Sequence, residues 1–358
     1  MKINHIILLP LLLICAANFA QAAELPGIPE FIDEMVVKHH FKRKELERVF
    51  ARAQHLPVVI ETISRPATTK PWLEYRANFV NPERIKLGLR FWDKYRKTLQ
   101  RAEKKYGVPQ EIILAVIGVE TVYGRDTGKF RTLDALTTLA FDYPRRADFF
   151  RTELVNYLLL AREQQLNLLA IKGSYAGALG IPQFMPSSYR TYAVDFNGNH
   201  KIDLLHEDKD AIGSVANYLQ SYGWDAGVAK EGNVPPHEGD AQLKKPIAVP
   251  VPFGEKNSAV ASAVPRTLAA WMAAGVAPGM DIAPSEKLLA GHPEETARLI
   301  DFTVAEGKEY WLVFNNFEVI ARYNNSDFYA MSVFQLAEAL KAARTSSAAK
   351  NSIKTSAD

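Results

Sequence analysis

The sequence predicts a mainly α-helical protein of the α+β class, with one small antiparallel sheet towards its carboxyl end. Apolar residues recur at helical spacing through most of residues 26–224, as in the run that carries Phe31, Met35 and Val36. Only residues 296–323 have the β-branched and aromatic composition that is typical of strands. The 358 residues suffice for two or three domains, and a hydrophobic content of 47% is enough for a sizeable core.

Residues 1–22 are expected to be a secretory signal peptide. Lys2 supplies positive charge, a short apolar run follows, and Ala20-Gln21-Ala22 fits a small-x-small cleavage site. An uncleaved anchor and a lipid anchor at Cys15 are the alternatives, although Ile14 is larger than the residue that usually precedes a lipidated cysteine. Cleavage would remove the only cysteine, so no disulfide is expected in the mature chain. We therefore expect a periplasmic protein.

The charge distribution argues against nucleic acid as a partner. The formal net charge is +3, and residues of both signs are interspersed along the chain. No block of lysine and arginine is present of the kind that follows a phosphate backbone. Beyond the signal no apolar run reaches roughly 18 residues, so the mature protein is expected to be soluble.

The chain divides into six regions after the signal. Residues 23–100 are expected to form a helical region, in which Asn81 caps a helix that starts at Pro82. The other five are a dense central region at 101–225, a linker and helical region at 226–293, a β region at 294–323, a last helix at 324–344 and a disordered polar tail at 345–358.

The β region is predicted from three apolar runs. Leu299 to Val304 and Tyr310 to Phe314 have strand composition, and Phe317 to Tyr323 is expected to form a further strand. Asn315-Asn316 is predicted to form the turn before that last strand.

Glu120 lies near the end of an apolar helix, which is expected to run from Ile112 to Val122. Ile113, Val116 and Ile117 precede it at helical spacing and share its face. Desolvation by such neighbours raises the pKa of a carboxyl group, as a general acid working near neutral pH requires. An ordinary, partly exposed glutamate at a helix end is the alternative.

A segment of small residues, Gly173 to Pro186, is a second candidate for the site. Its glycines are expected to let a bulky ligand approach the backbone closely. Ser174 and Gln183 carry neutral donors and acceptors that suit sugar hydroxyls. A structural turn packed against a helix is the alternative.

An acidic loop at residues 195–210 resembles a calcium-binding loop. Asp195, Asn197 and Asn199 place side-chain oxygens at alternate positions, as hard-cation sites do. His200 stands where such loops have glycine, and His206 stands where they have a bidentate glutamate. A polar turn that binds no metal is the alternative.

Two arginines and two tyrosines are weaker candidates. Arg145 and Arg146 could pair with acidic groups of a substrate, although such a pair is more often a solvated surface. Tyr218 and Tyr323 are, from their positions alone, expected in the core.

Taken together, these segments resemble the lytic murein transglycosylase B family. The similarity is carried by five motifs, all in the family's order: Ile117-Gly118-Val119-Glu120-Thr121 with Tyr123-Gly124-Arg125; Gly173 to Gly180; Gln183 to Tyr189; Asp210 to Tyr218; and Phe314 to Phe317 with Arg322-Tyr323-Asn324. The resemblance implies a lysozyme-like helical catalytic core with a flanking helical domain and a small antiparallel β domain.

The resemblance also implies a reaction. The substrate would be the glycan strand of peptidoglycan, cut at the β-1,4 bond between N-acetylmuramic acid and N-acetylglucosamine. The muramyl C6 hydroxyl would replace water and close a 1,6-anhydro ring. Cell-wall synthesis enzymes are further candidate partners, and the expected state is a monomer.

By the same resemblance, Glu120 matches the sole catalytic acid/base. Residues matching substrate-contacting positions are Ser174, Gln183, Tyr218, Tyr323, Asn324, Arg145 and Arg146. The acidic loop matches an EF-hand-like calcium loop, with candidate ligands Asp195, Asn197, Asn199 and the backbone of Lys201, closed by Asp208 or Asp210.

Two other functions compete with this interpretation. A hydrolytic muramidase would need a second carboxylate near the bond, and Asp134, Asp142 and Asp148 are the nearest in sequence. A non-catalytic peptidoglycan-binding scaffold would keep the fold without needing Glu120.

Overall fold

The structure is a computed structural model, and it describes residues 25–65, 70–227, 246–253, 264–276 and 292–355. The predicted signal peptide lies outside the described residues. The helices, numbered α1 to α14 in chain order, are Ile28–His39, Arg43–Phe50, Pro57–Ser64, Trp72–Ala77, Pro82–Lys94, Arg96–Tyr106, Gln110–Thr121, Thr132–Asp142, Ala147–Glu163, Pro186–Tyr192, Asp208–Ser221, Leu268–Ala273, Asn315–Ala321 and Asp327–Thr355. The strands, β1 to β6, are Phe130–Arg131, Lys172–Gly173, Ala248–Val251, Arg266–Thr267, Thr296–Val304 and Gly307–Val313.

Helix α7 lies at the centre of the helical core. Every residue from Ile112 to Val119 is buried, so the helix is covered on all sides rather than on one face. Helices α5, α6, α11 and α14 pack around it. The predicted cap of α5 is confirmed, because the Asn81 side chain accepts a hydrogen bond of 2.9 Å from the Arg84 amide.

The β structure is antiparallel, as predicted. Strands β1 and β2 pair as a short ladder beside the helical core. The larger sheet has the order β3-β6-β5-β4, and β5 and β6 form a hairpin in which Val304 pairs with Gly307. One face of this sheet carries its own apolar cluster, which includes Trp271 and Leu312.

The predicted strand from Phe317 to Tyr323 is wrong. Residues Asn315–Ala321 form helix α13, and the predicted turn at Asn315-Asn316 is its first turn. Phe317 and Ile320 are fully buried one helical turn apart, so packing outweighs their strand composition. Asn316 exchanges hydrogen bonds of 2.8 Å with the backbone of Asp225, which places it in the core rather than in a surface turn.

The predicted linker and helical region, 226–293, is described over 226–227, 246–253, 264–276 and 292–293. There it contributes strands β3 and β4 to the sheet and one short helix, α12. Prolines around β3 suggested a linker. Pro250 is tolerated within β3 because β3 is an edge strand, where a missing N–H breaks no ladder on the outer side.

The last helix begins slightly later than predicted and ends well beyond its predicted carboxyl end. Helix α14 begins at Asp327 and continues to Thr355, so the disorder predicted from residue 345 is wrong for residues 345–355. No glycine or proline follows Arg344 to end the helix, and alanine and lysine in this stretch favour it.

Candidate active site

Helix α7 carries Glu120 in its last turn. The chain then takes three consecutive left-handed conformations, at Val122, Tyr123 and Gly124, with φ of 52°, 62° and 84°. These residues end the helix abruptly, so Glu120 is partly exposed while the preceding two turns are buried. An apolar helix thus presents one carboxyl group at its carboxyl end.

The carboxyl group of Glu120 has one hydrogen-bond partner among the described residues, the phenol of Tyr329. The Tyr329 hydroxyl donates to Glu120 Oε1 at 2.7 Å, and Tyr329 itself is only 2% exposed. Burial raises the pKa of Glu120 from 4.5 to about 7, while the Tyr329 hydrogen bond opposes this by stabilising the carboxylate. Glu120 can therefore both hold and release a proton near neutral pH.

Tyr329 belongs to a cluster of aromatic rings. It stacks on Tyr323 with ring centroids 6.0 Å apart, and Tyr323 meets Tyr218 at 4.7 Å and Phe184 at 5.9 Å. Burial, reinforced by the nearby Glu120, holds the pKa of Tyr323 and of Tyr329 well above 10. Both phenols therefore stay protonated and act as hydrogen-bond donors.

The small-residue segment is fixed to this cluster at two points. The Tyr323 hydroxyl donates to the Pro182 carbonyl at 2.6 Å. The Thr121 hydroxyl donates to the Ile181 carbonyl at 2.7 Å and accepts from the Gly124 amide at 2.9 Å. The residues before Gln183 are thereby tied to the end of helix α7.

The glycines of this segment serve internal packing, and the expectation that they let a ligand approach the backbone stays a prediction. A Cβ at Gly177, which has φ of 84°, would lie 2.3 Å from Leu136. A Cβ at Gly180 would lie 2.2 Å from the Leu204 carbonyl, and one at Gly173 would lie 2.2 Å from the Ala178 carbonyl. Protein atoms already fill the space beside each of them.

The side chains of Ser174 and Gln183 are both partly buried, and each already makes hydrogen bonds to the protein backbone. Ser174 Oγ accepts from the amides of Ala176 and Ala178, at 3.3 and 3.0 Å, and so holds its own turn. The Gln183 amide group donates to the carbonyls of Thr127 and Gly180, at 3.0 and 2.9 Å. Its side-chain oxygen has no partner in the part of the chain described, which leaves it available to a substrate donor.

Tyr218 is buried, as expected, and its hydroxyl makes a long hydrogen bond of 3.3 Å to the Arg322 carbonyl. Asn324 is exposed beside Tyr323 in the turn between α13 and α14. The structure therefore brings Glu120, Gln183, Tyr218 and Tyr323 together, with Asn324 at the edge.

Arg145 and Arg146 lie in a short 3-10 turn on the surface. Both are exposed, and the Arg146 guanidinium covers the ring of Phe149 at 4.3 Å. No contact in the described ranges joins either arginine to the cluster around Glu120.

The acidic loop is organised by its own side chains. Asp195 accepts from the amides of Gly198 and His200, at 2.7 and 2.8 Å. Asn197 and Asn199 each accept from the amide two residues on, at 2.9 Å, the second of these being that of Lys201. His200 adopts φ of 65°, the left-handed conformation for which such loops use glycine.

Asp210 is the residue that closes this loop, and Asp208 is not. Asp210 is fully buried and accepts from the amides of Phe196 and Asp203, at 2.9 and 3.0 Å. The Asp208 carboxylate instead accepts from the Tyr95 hydroxyl and lies 3.7 Å from the Lys94 ammonium. No group of three histidine, cysteine or acidic side chains able to hold a metal occurs among the described residues, so a cation here would need amide and backbone oxygens beside the carboxylates of Asp195 and Asp210.

Sequence reasoning missed Tyr329, Thr121 and Arg84. Tyr329 lies 209 residues from its partner Glu120, and nothing in its surrounding sequence marks it. Thr121 belongs to the motif that carried the resemblance, but no role was assigned to it. Arg84 donates to the Gly118 carbonyl in the last turns of α7, as a cation at a helix carboxyl end should.

Comparison with known proteins identifies the family. A profile described as the transglycosylase SLT domain matches residues 24–338. Membrane-bound lytic murein transglycosylase B of Escherichia coli (strain K12) is 41% identical over 336 residues, covering 90% of this chain and 84% of that protein. The chain belongs to the lytic murein transglycosylase B family. It is therefore an enzyme, a lytic transglycosylase.

Solved structures of lytic transglycosylases agree with this fold. E. coli lytic transglycosylase Slt35, solved in complex with calcium, matches with a TM-score of 0.77 at 40% identity, covering 90% of this chain and 95% of that chain. SltB3 from Pseudomonas aeruginosa, solved in complex with NAG-anhNAM-pentapeptide, matches with a TM-score of 0.73 at 28% identity, covering 88% of this chain and 79% of that chain. The lysozyme-like mixed fold expected from the resemblance is thereby confirmed.

Proposed function

We propose that this lytic transglycosylase acts on peptidoglycan, cleaving the β-1,4 bond between N-acetylmuramic acid and N-acetylglucosamine and leaving a 1,6-anhydromuramyl end. Glu120 serves as its sole acid/base. The observation that carries the proposal is the single desolvated carboxyl group at the end of α7, with a pKa of about 7. The relative SltB3, solved with an anhydromuramyl ligand, supports the product.

In the first step Glu120 acts as the acid. Its proton passes to the glycosidic oxygen as the bond from that oxygen to muramyl C1 breaks, so the leaving sugar departs as an alcohol. The positive charge that develops at C1 is taken up by the carbonyl oxygen of the substrate's own N-acetyl group. Burial supports this step, because it keeps a large fraction of Glu120 protonated near pH 7.

In the second step Glu120 acts as the base. Its carboxylate takes the proton of the muramyl C6 hydroxyl as O6 bonds to C1 and the bond between C1 and the N-acetyl oxygen breaks. The N-acetyl group is restored and the acid is regenerated without water. The Tyr329 hydroxyl donates to the carboxylate during the interval between the two transfers. One residue can perform both proton transfers because its pKa lies close to the working pH.

The neighbouring residues would hold the glycan. We assign Ser174 and Tyr218 to positioning the N-acetyl group, and Gln183, Tyr323 and Asn324 to contacts with sugar hydroxyls. The unpaired side-chain oxygen of Gln183 suits such a donor. Arg145 and Arg146 are exposed and cationic, which suits the carboxylates of a stem peptide.

Hydrolysis with a second carboxylate is less well supported. Asp134 is buried and occupied by the Gln54 amide and the Arg131 guanidinium. Asp142 pairs with His55 at 2.8 Å, and Asp148 lies exposed at the start of α9. A non-catalytic scaffold would not require a carboxyl group with a pKa near 7.

The acidic loop fits a structural calcium ion. Asp195, Asn197, Asn199, the Lys201 carbonyl and Asp210 would hold it, since the first three already converge on one turn and Asp210 closes it. The left-handed backbone at His200 supports this fit despite the missing glycine. The ion would cross-link the loop and supply no step of the reaction. Slt35, solved with calcium, is the relative that supports this assignment.

The enzyme would work on the outer side of the cytoplasmic membrane, where its substrate lies. The relative in E. coli is named membrane-bound. None of the helices in the described ranges is long and apolar enough to cross a bilayer. The predicted signal peptide supports export to the periplasm.

Mass spectrometry of the muropeptides released from purified peptidoglycan tests this proposal. Products about 18 mass units lighter than hydrolytic ones are expected, because an internal hydroxyl replaces water in the step that Glu120 catalyses. Products of full mass with a reducing end would identify a hydrolase. No products at all would favour the scaffold.

A further inference from the structure

Arg298 on strand β5 binds two carboxylates that belong to two other elements. Its Nη1 and Nη2 donate to the two oxygens of Asp327, at 2.9 and 2.6 Å, and its Nε donates to Glu318 Oε1 at 2.7 Å. The guanidinium side chain is only 15% exposed. The planar guanidinium group donates three charge-assisted hydrogen bonds, which fix both the direction and the distance of the two carboxylates. A lysine could not fix both.

The two carboxylates stand at the two ends of one short segment, residues 318–327. Glu318 lies in α13, and Asp327 is the first residue of α14. Tyr323 and Asn324 lie within the segment, and Tyr329 follows Asp327 by two residues. Arg298 therefore holds both ends of the segment that carries Tyr323, and with Asp327 it also holds the start of the helix that carries Tyr329.

Both tyrosines depend on the placement of this segment. The Tyr329 hydroxyl reaches Glu120, and the Tyr323 hydroxyl reaches the Pro182 carbonyl. Ser326 caps the start of α14, accepting from the Tyr329 amide at 3.3 Å, but this bond is local and does not fix the helix against the sheet. The hydrogen bonds from Arg298 are what hold the start of α14 in a fixed position against the sheet.

Apolar packing would keep the segment attached without Arg298. Trp72 is fully buried, stacks on Phe302 of β5 at 4.4 Å and meets Phe328 of α14 at 5.2 Å. A variant at Arg298 is therefore expected to fold, with the sheet and α14 still in contact. The loss would be in the fine placement of Tyr329.

We propose that Arg298 is a positioning residue for the transglycosylase reaction, through which the β-sheet sets the contact between Tyr329 and Glu120. This inference rests on the proposed function, in which Glu120 is the acid/base. Misplacement of a catalytic contact by about 1 Å can cost a factor of up to roughly 100 in rate. The sheet is then part of the catalytic machinery rather than only a separate module.

The pH profile can isolate this effect. The groups of the described chain that interact electrostatically with Glu120 are three tyrosines: Tyr329 of α14, Tyr323 of the preceding turn and Tyr75 of α4. None of them is charged near pH 7. The Tyr329 hydrogen bond lowers the pKa of Glu120, so weakening it should move the basic limb of kcat/KM to higher pH.

The experiment compares Arg298→Gln and Arg298→Lys with the wild type on a short soluble glycan. We expect kcat to fall by roughly tenfold for Arg298→Gln with KM little changed, and the basic limb to move upward in both variants. Lys308→Gln is the matched control, since Lys308 pairs with Asp301 at 2.8 Å on the same hairpin and contacts neither carboxylate of the segment. Its kinetics should equal those of the wild type, and circular dichroism should show all variants folded.

A double variant decides the inference. In a Tyr329→Phe background, Arg298→Gln should produce no further shift of the basic limb, because the contact it positions is already gone. The positioning role would be overturned if the shifts of the basic limb caused by Arg298→Gln and Tyr329→Phe add in full in the double variant. It would also be overturned if the single Arg298→Gln variant leaves the limb unmoved. If Tyr329→Phe alone leaves the limb unmoved, the positioning role fails as well, because the contact that Arg298 is proposed to set then has no effect on Glu120. If Glu120→Gln stays active, the proposed function fails instead.

Discussion

The carboxyl groups of Glu120 and Asp195 lie in opposite environments in this enzyme. Glu120 ends a helix that is buried on every side and has one donor, so burial raises its pKa to about 7. At Asp195 burial also acts to raise the pKa, but three backbone amides of the acidic loop outweigh it and the pKa is lowered. Glu120 and Asp195 therefore differ both in how deeply the carboxyl group is buried and in how many donors it has, and these two factors decide whether the pKa is raised or lowered.

The largest effect is expected from Glu120→Gln, which keeps the shape of the side chain and removes its proton transfer. Turnover of peptidoglycan should fall by at least about 100-fold. Released muropeptides, quantified by chromatography, provide the measurement. Retention of wild-type turnover would show that another group carries the proton.

Stability provides the control for this variant. Folding raises the pKa of Glu120 from 4.5 to about 7, so the folded state binds the proton more tightly than the unfolded chain. The wild type should therefore lose stability as the pH rises through this interval, and Glu120→Gln should lose less. A thermal midpoint at pH 8 well below that of the wild type would mean that the activity loss reflects misfolding.

The second effect concerns the single donor of Glu120. Tyr329→Phe removes the bond that favours the carboxylate, so the pKa of Glu120 should rise above about 7. The acid must be protonated in the free enzyme, and the basic limb of kcat/KM should move to higher pH as kcat falls roughly tenfold. A pH–rate series on a soluble glycan measures both. A limb that moves down or stays in place would contradict the role of Tyr329.

The third effect is at the link between α7 and the small-residue segment. Thr121→Val deletes the hydroxyl that donates to the Ile181 carbonyl, and should cost about 1–3 kcal/mol in the free energy of unfolding. Thr137→Val is the matched control, because the Thr137 hydroxyl is buried without a partner among the described atoms. Urea denaturation of both variants measures the difference. Equal costs would mean that the link contributes nothing specific.

The smallest effect is expected in the acidic loop. Excess calcium should raise the thermal midpoint of the wild type, since an ion that binds only the folded state stabilises it. Asp195→Asn should lose most of this response. Asp208→Asn should keep it, because Asp208 is engaged by Tyr95 and Lys94. No shift of the wild type at millimolar calcium would rule out a calcium site.

Local pattern was enough to find the buried helix that carries Glu120 and the acidic loop. Glu120 follows buried aliphatic residues at helical spacing, and the alternating oxygens of the loop lie on one short stretch of chain. Both features depend on neighbours in sequence, which periodicity can detect. The identity of the closing residue, Asp210 rather than Asp208, depends instead on how α11 packs.

Long-range partners could not be predicted in this way. The Tyr329 contact to Glu120 and the three bonds of Arg298 join segments far apart in the chain, and no spacing rule relates them. The helix at Asn315–Ala321 was missed for a related reason. Its β-branched and aromatic residues favour a strand locally, whereas burial of Phe317 and Ile320 on one face decides for a helix.

Titration of Glu120 itself shows whether one desolvated carboxyl group can carry both proton transfers. Carbon-13 NMR of glutamate-labelled enzyme, with the Glu120→Gln variant to assign the resonance, would follow its protonation. We expect a midpoint at about 7, compared with 4.5 for an ordinary glutamate. A midpoint near 4.5 would contradict this expectation, because Glu120 would then hold no proton to donate at neutral pH.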